Sequence, residues 1–195
     1  MKPALIYDCE IIAAIPDKTD SRLFGIRYCA GWRDFTNMGI SVIGAYDYAE
    51  DRYRVFCADN FAEFEALLPQ RYVVSFNGIA FDDQLHAATA LVLAAKTDYD
   101  LLVEVWAGAG LGPDFSYPTH AGYGLDAVCE ANGLGRKTGH GARAPVLWQQ
   151  GKIGQVIDYC LQDVRLTKRL FDLVIERGDI TCPRTGMMLK MRRPE

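Results

Sequence analysis

The chain has 195 residues, 50% of them apolar and 24% charged, with a formal net charge of −4. That balance fits one globular domain over residues 1–195 with one sizeable core, and excludes a disordered, fibrous or low-complexity protein. No apolar run is long enough to span a bilayer, so no membrane partner is expected, and the net charge speaks against nucleic acid unless bound cations reverse its local sign.

The first strand is predicted over residues 4–12, so close to Met1 that no leader is expected and a cytoplasmic protein is the reading. It carries Tyr7-Asp8-Cys9-Glu10, and in a strand that spacing sends the two carboxylates out of one face. A central strand with an acidic pair facing the core needs something positive to neutralise it, and a divalent metal is one answer. The other is a strand whose outer face is wet; the pair alone reads more readily as two solvated acids. Cys9, between them, points the other way and is expected to be packing.

A polar, turn-rich stretch follows over residues 16–37 and mixes Arg22, Arg27, Tyr28, Trp32, Arg33 and Phe35. Basic and aromatic side chains interleaved in this way suit a single-strand binding surface, or a small satellite core under the loop. Strands over residues 38–48 and 52–57 then form a hairpin beside the first strand. Asp59-Asn60 offers a cap for a helix carrying Phe61, Phe64, Leu67 and Leu68, closed by Pro69. A buried strand over residues 72–76 stops abruptly at Asn77-Gly78.

Alanine and leucine predict a helix over residues 81–95, with a second over 100–107. A Gly- and Pro-rich loop over 108–124 leads to a helix over 125–132, and then to the basic loop Gly135-Arg136-Lys137-Thr138-Gly139-His140-Gly141. That loop lacks the earlier glycine of a phosphate-binding P-loop. Residues 146–176 are strongly helical with a break at Gly151 or Gly154, and a small hairpin and a tail are placed over residues 181–195. Strands first, then strand and helices, predict an α/β protein with a mixed central sheet flanked by helices. The six cysteines form no C-x-x-C pair, and His86, His120 and His140 lack ligand spacing to them, so neither a disulfide framework nor a zinc site is indicated.

Three stretches carry acids that such a fold would gather: Asp8 with Glu10, Asp82 at the start of a helix after Asn77-Gly78, and Tyr159 with Asp163 four residues on along one helix face. Asp82 alone reads as a helix N-terminal acid and Tyr159 as core, but an unpaired Asp163 on an apolar face does not pack.

In order and context, Asp8-x-Glu10, Asn77-Gly78 with Phe81-Asp82, and Tyr159-x-x-x-Asp163 resemble the three motifs of the DEDD superfamily of 3′–5′ exonucleases, in the subgroup with a tyrosine. The closest resemblance is to small stand-alone predicted exonucleases of bacteria and phages, in which a segment like Leu147-Trp148-Gln149-Gln150-Gly151 also precedes the last motif. The resemblance implies a ribonuclease H-like fold and a two-metal phosphodiesterase. Asp8, Glu10 and Asp163 would hold one Mg²⁺ or Mn²⁺, and Asp8 with Asp82 a second about 4 Å away. Tyr159 would orient the attacking water, and Asn77 would brace the second motif or touch substrate. The expected partners are 3′ ends of single-stranded DNA or RNA, DNA slightly preferred. Ile11 and Ile12 stand where proofreading domains carry substrate-gripping residues. That role therefore falls to Asn77, Phe81, Trp32, Arg33, Arg136 and Lys137. An inactive binding module and a structure-specific endonuclease are the alternatives on the same fold. Oligomeric state is left open.

Overall fold

The computed structural model describes residues 2–17, 19, 21–89, 93–137 and 141–194. Five strands form the central sheet: β1 (Ala4–Ile11), β2 (Ile40–Asp47), β3 (Arg52–Phe56), β4 (Tyr72–Ser75) and β5 (Tyr99–Asp100), in the order β3-β2-β1-β4-β5. The first three pair antiparallel, whereas β4 and β5 run parallel to β1. The helices are α1 (Phe35–Met38), α2 (Phe61–Leu67), α3 (Asp82–Thr89), α4 (Leu101–Gly108), α5 (Leu125–Ala131), α6 (Ala144–Gln149) and the long α7 (Ile153–Arg177). A hairpin of β6 (Asp179–Thr181) and β7 (Met188–Lys190) follows. This is the predicted mixed α/β sheet, consistent with a ribonuclease H-like fold.

β1 is the middle strand, and its alternation divides the two cores. Leu5, Tyr7, Cys9 and Ile11 pack with Ile43, Phe64 and Leu85, while Ile6 packs on the other side with Val74, Val105, Leu170 and Val174. Cys9 is therefore core, as its parity requires. Gly44 on β2 lets α7 lie close on the sheet: a Cβ there would stand 2.8 Å from Cys160 Sγ and 3.2 Å from Val164 Cγ2.

Several boundaries differ from those the sequence predicts. The helix expected over 81–95 is α3, ending at Thr89; residues 90–92 lie outside the described residues, and 93–97 are not helical. The Ala95 N–H donates to His86 Nδ1 at 2.7 Å, which holds that segment against α3. Asp100 is not in its predicted helix but closes β5 and caps α4, accepting from the Leu102 N–H at 3.0 Å. β5, two residues long, is too short for a periodic pattern. The break expected at Gly151 or Gly154 is found at Gly151, whose φ of +75° is left-handed and which separates α6 from α7; the start differs, α6 beginning at Ala144. Asn60 makes no side-chain cap; its Oδ1 accepts from the Cys57 N–H at 2.7 Å. Thr138 and His140 of the basic loop lie outside the described residues.

Candidate active site

β1 presents Asp8 and Glu10 on the face that α7 covers. Glu10 is buried and Asp8 partly exposed. The ladder with β2 slips between Glu10 and Ile11, and the Ser41 hydroxyl donates to the Glu10 carbonyl at 3.0 Å, so the acid sits at an irregularity of the kind that re-aims side chains.

Asp82 reaches the same place from the other edge. β4 pairs with β1 only over Ala4, Leu5 and Ile6, so beyond that point the β1 backbone has no strand on this side. The start of α3 fills the gap, and Asp82 Oδ1 accepts from the Cys9 N–H at 3.0 Å. A carboxylate thus takes the place of a strand partner between Asp8 and Glu10. The turn that delivers it is fixed by Asn77, whose φ is +70°, and by Asp100, which accepts from the Asn77 N–H at 2.8 Å and the Ile79 N–H at 3.1 Å.

From α7 come Asp163, 5% exposed, and the half-buried Tyr159. Lys137, which the sequence suggests as a substrate contact, is placed against Asp163, with Nζ 2.5 Å from Oδ2 and 5.6 Å from the Tyr159 ring centre. Its own N–H donates to Asp126 Oδ1 at 2.6 Å, which pins the loop to α5. Arg136 points elsewhere, pairing with exposed Glu130 at 3.3 Å.

Phe81, next to Asp82, is stacked edge-on by Phe35 at 5.7 Å and by Trp32 at 6.1 Å, and Trp32 is 70% exposed. Phe35 packs against the core, as the satellite-core reading of the loop expects, while Trp32 and Arg33 face solvent. The loop is strapped to α6 by Gln149, which accepts from the Arg27 N–H at 2.7 Å and donates to the carbonyls of Ile12 at 2.8 Å and Arg27 at 3.1 Å. That strap gives the Leu147-Trp148-Gln149-Gln150-Gly151 segment its place beside the site.

No family model matches the sequence, and no curated protein does. The fold has a counterpart. It is similar to the family B DNA polymerase from the hyperthermophilic archaeon Pyrobaculum calidifontis, with a TM-score of 0.57 at 16% identity, over 89% of this chain and 24% of that chain. At that identity the likeness is one of fold, and it spans a small part of the polymerase.

The electrostatics are those of a site short of positive charge. Burial, then the charges of Asp82, Asp163 and Glu10, hold Asp8 well above the usual carboxylate range. Burial and the charges of Asp163 and Asp82 do the same to Glu10. Asp82 is pushed up to about 7, by burial first and then by Asp83 and Asp100, although the Cys9 N–H opposes this. Burial also raises Asp163, against the pull of Lys137. Asp163 Oδ1 is buried with no hydrogen bond of acceptable geometry among the described residues, although Tyr159 lies close enough to favour its ionised form. Mutually repelling carboxylates and a buried oxygen short of donors have a chemistry that fits a divalent metal. Among the described residues, ligand atoms of Asp8, Glu10 and Cys160 lie within 4.8 Å of one another. Cys160 is buried in the core, and its place behind Asp8 follows from the register of α7, which leaves no mark in spacing.

Proposed function

We propose that this chain is a divalent-metal-dependent 3′–5′ exonuclease that trims single-stranded ends, DNA ahead of RNA, to nucleoside 5′-monophosphates. The observation that carries the proposal is the meeting of acids from β1, α3 and α7 around the middle strand, each held above its usual pKa, with Lys137 as the counter-charge to Asp8, Glu10 and Asp163. The motif resemblance to proofreading exonuclease domains and the likeness in fold to a DNA polymerase support it.

Asp8, Glu10 and Asp163 would hold one Mg²⁺ or Mn²⁺, and Asp8 with Asp82 the second. Bound there, such ions polarise the phosphoryl oxygens and lower the pKa of a bound water. Burial and the Asp163 charge raise the Tyr159 phenol to about 12, so at neutral pH it keeps its proton and orients the attacking water as a hydrogen-bond donor, not as a base. Asn77 braces the turn that carries Asp82. Phe81 and exposed Trp32 offer stacking faces to the terminal bases, and the Arg33 and Lys137 cations suit the phosphates.

The test is a 5′-labelled single-stranded oligonucleotide with Mn²⁺, alongside a circular strand. A ladder from the linear strand and an intact circle are expected. A cut circle would make the protein an endonuclease, and metal-independent binding without cleavage of either would make it a binding module.

A further inference from the structure

The two residues that flank Asp8 on β1, Tyr7 and Cys9, point away from the acidic site into the opposite core, yet both are tied to the start of α3. The Cys9 N–H donates to Asp82 Oδ1 at 3.0 Å, and the Tyr7 hydroxyl donates to Asp83 Oδ1 at 2.5 Å. Consecutive acids of one helix thus grip β1 on either side of Asp8.

The helix dipole accounts for an acid at position 83 but not for the partners this one has. Its Oδ1 also accepts from the Thr97 hydroxyl at 2.8 Å, and its Oδ2 accepts from the Thr97 N–H at 2.8 Å. Thr97 Oγ1 is in turn 3.0 Å from Ser75 Oγ at the end of β4, and the Asp83 N–H donates to the Gly78 carbonyl at 2.8 Å. Tyr7, Ser75 and Thr97 are buried, and the Tyr7 ring lies against Phe64 at 5.4 Å, so the hydroxyl is presented from a packed side chain. Asp82 has no such support of its own on this edge. Because β4 leaves β1 after Ile6, no ladder holds the strand to α3 there, and a single hydrogen bond at Cys9 is a pivot. A second link at Tyr7 removes the freedom to turn about it.

We propose that Tyr7 and Asp83 are positioning residues, whose hydrogen bond fixes the first turn of α3 against β1 and so sets Asp82 beside Asp8 for the second divalent ion. The inference rests on the metal-dependent reading of the acidic site, and it gives a role to two residues that touch neither ion nor substrate in that reading. The first ion draws on β1 and α7 alone, through Asp8, Glu10 and Asp163, so loosening the link acts on one ion and spares the other.

The test titrates the full-length protein with Mn²⁺ and follows the EPR signal of the free ion, which counts and ranks the ions bound. Two per chain are expected in the wild type. In Tyr7→Phe, which loses only the hydroxyl, one ion should lose about 10- to 100-fold in affinity, the usual cost of removing a group that orients a ligand, while the other keeps its affinity. On the labelled oligonucleotide kcat should fall by a similar factor at constant KM. Asp83→Asn leaves one acceptor oxygen for three donors and should match or exceed this loss, and Tyr7→Phe combined with Asp83→Asn should be no worse than Asp83→Asn alone, because both changes break one link. Should one variant fail to fold, the other decides alone. Wild-type binding of both ions in the variants, whatever their unfolding stability, makes the link merely structural and overturns the inference; so do equal losses at both ions, or a wild type that binds one ion only. Trimming by the wild type with ion binding unaltered in the variants sinks the positioning role and leaves the exonuclease standing. Selective loss of one ion in the variants, with no trimming by the wild type, does the reverse.

Discussion

Two buried acidic sites lie on the same β1–β2 ladder, and they are built oppositely. At one end Asp47, opposite Leu5 and fully buried, receives the Arg71 guanidinium through Nε at 2.8 Å and Nη2 at 3.0 Å, and the Ala49 N–H at 2.9 Å. Burial works against its ionisation, but those donors win and its pKa is lowered. Three residues along, Asp8 faces Gly44 and shares the Lys137 charge with Glu10 and Asp163; these three and Asp82 are all raised. An acid kept for structure is surrounded by donors. The acids of the second site are left short of them, a shortage that a bound cation would relieve.

The largest expected effect breaks the second site. Asp8→Ala or Asp163→Ala should lower Mn²⁺-dependent trimming by on the order of 10²–10³-fold or more, the scale of losing one preorganised electrostatic group. Single-turnover rates on the labelled oligonucleotide measure this. Retained activity in both variants would remove the acids from catalysis.

Next comes the first site, where the same type of substitution should act on stability instead. Asp47→Ala leaves the Arg71 guanidinium without its carboxylate, at a cost of about 3–5 kcal/mol in urea unfolding. Wild-type stability in Asp47→Ala would mean that the two sites do not differ in the way the geometry implies.

The same contrast explains what could be read from the sequence. Asp8, Glu10, Tyr159 and Asp163 were legible because strand and helix periods place them on faces regardless of partners, and the order of strands and helices sufficed for a mixed sheet. Lys137 was visible only as a basic loop residue, since nothing local says that its loop folds back over α7 onto Asp163. Asp100, which holds the Asn77 turn, sat inside a predicted helix because one capping acid looks like any other in a chain rich in acids. Gln149 is 122 residues from Arg27 in the loop it straps, a contact that no window of sequence contains.

A smaller effect concerns the mouth of the site. Trp32 is 70% exposed and touches Phe81 edge-on, so its removal costs the fold little. Trp32→Ala should weaken single-strand binding by about 1–3 kcal/mol, one stacked base, seen as a higher KM with kcat nearly unchanged. A fall in kcat at constant KM would place Trp32 in support of Asp82 and not under a base.

The smallest expected effect is also the most direct comparison, because the two sites should leave opposite pH dependences in metal-free protein. Asp47 has a lowered pKa, so its stabilisation is present above the ordinary value of 3.8 and is lost as acid protonates it. Asp82 is raised from 3.8 to about 7, so its contribution is full below 3.8 and is lost as the pH rises through about 7; Asp8 and Glu10 add to that loss in the same direction. Thermal unfolding without metal should therefore peak on the acid side of neutrality and decline by roughly 2–4 °C per kcal/mol towards pH 8. Mn²⁺ at about 100 times its Kd should restore about 2.7 kcal/mol there, because the ion binds the carboxylates that repel one another. Asp82→Asn keeps an acceptor for the Cys9 N–H while deleting the charge, so it should flatten the alkaline decline and leave the acid limb, which belongs to Asp47, in place. A metal-free midpoint that stays level from pH 5 to 8 would mean that these carboxylates are not held in want of a cation, and the distinction between the two ends of the ladder would fall with it.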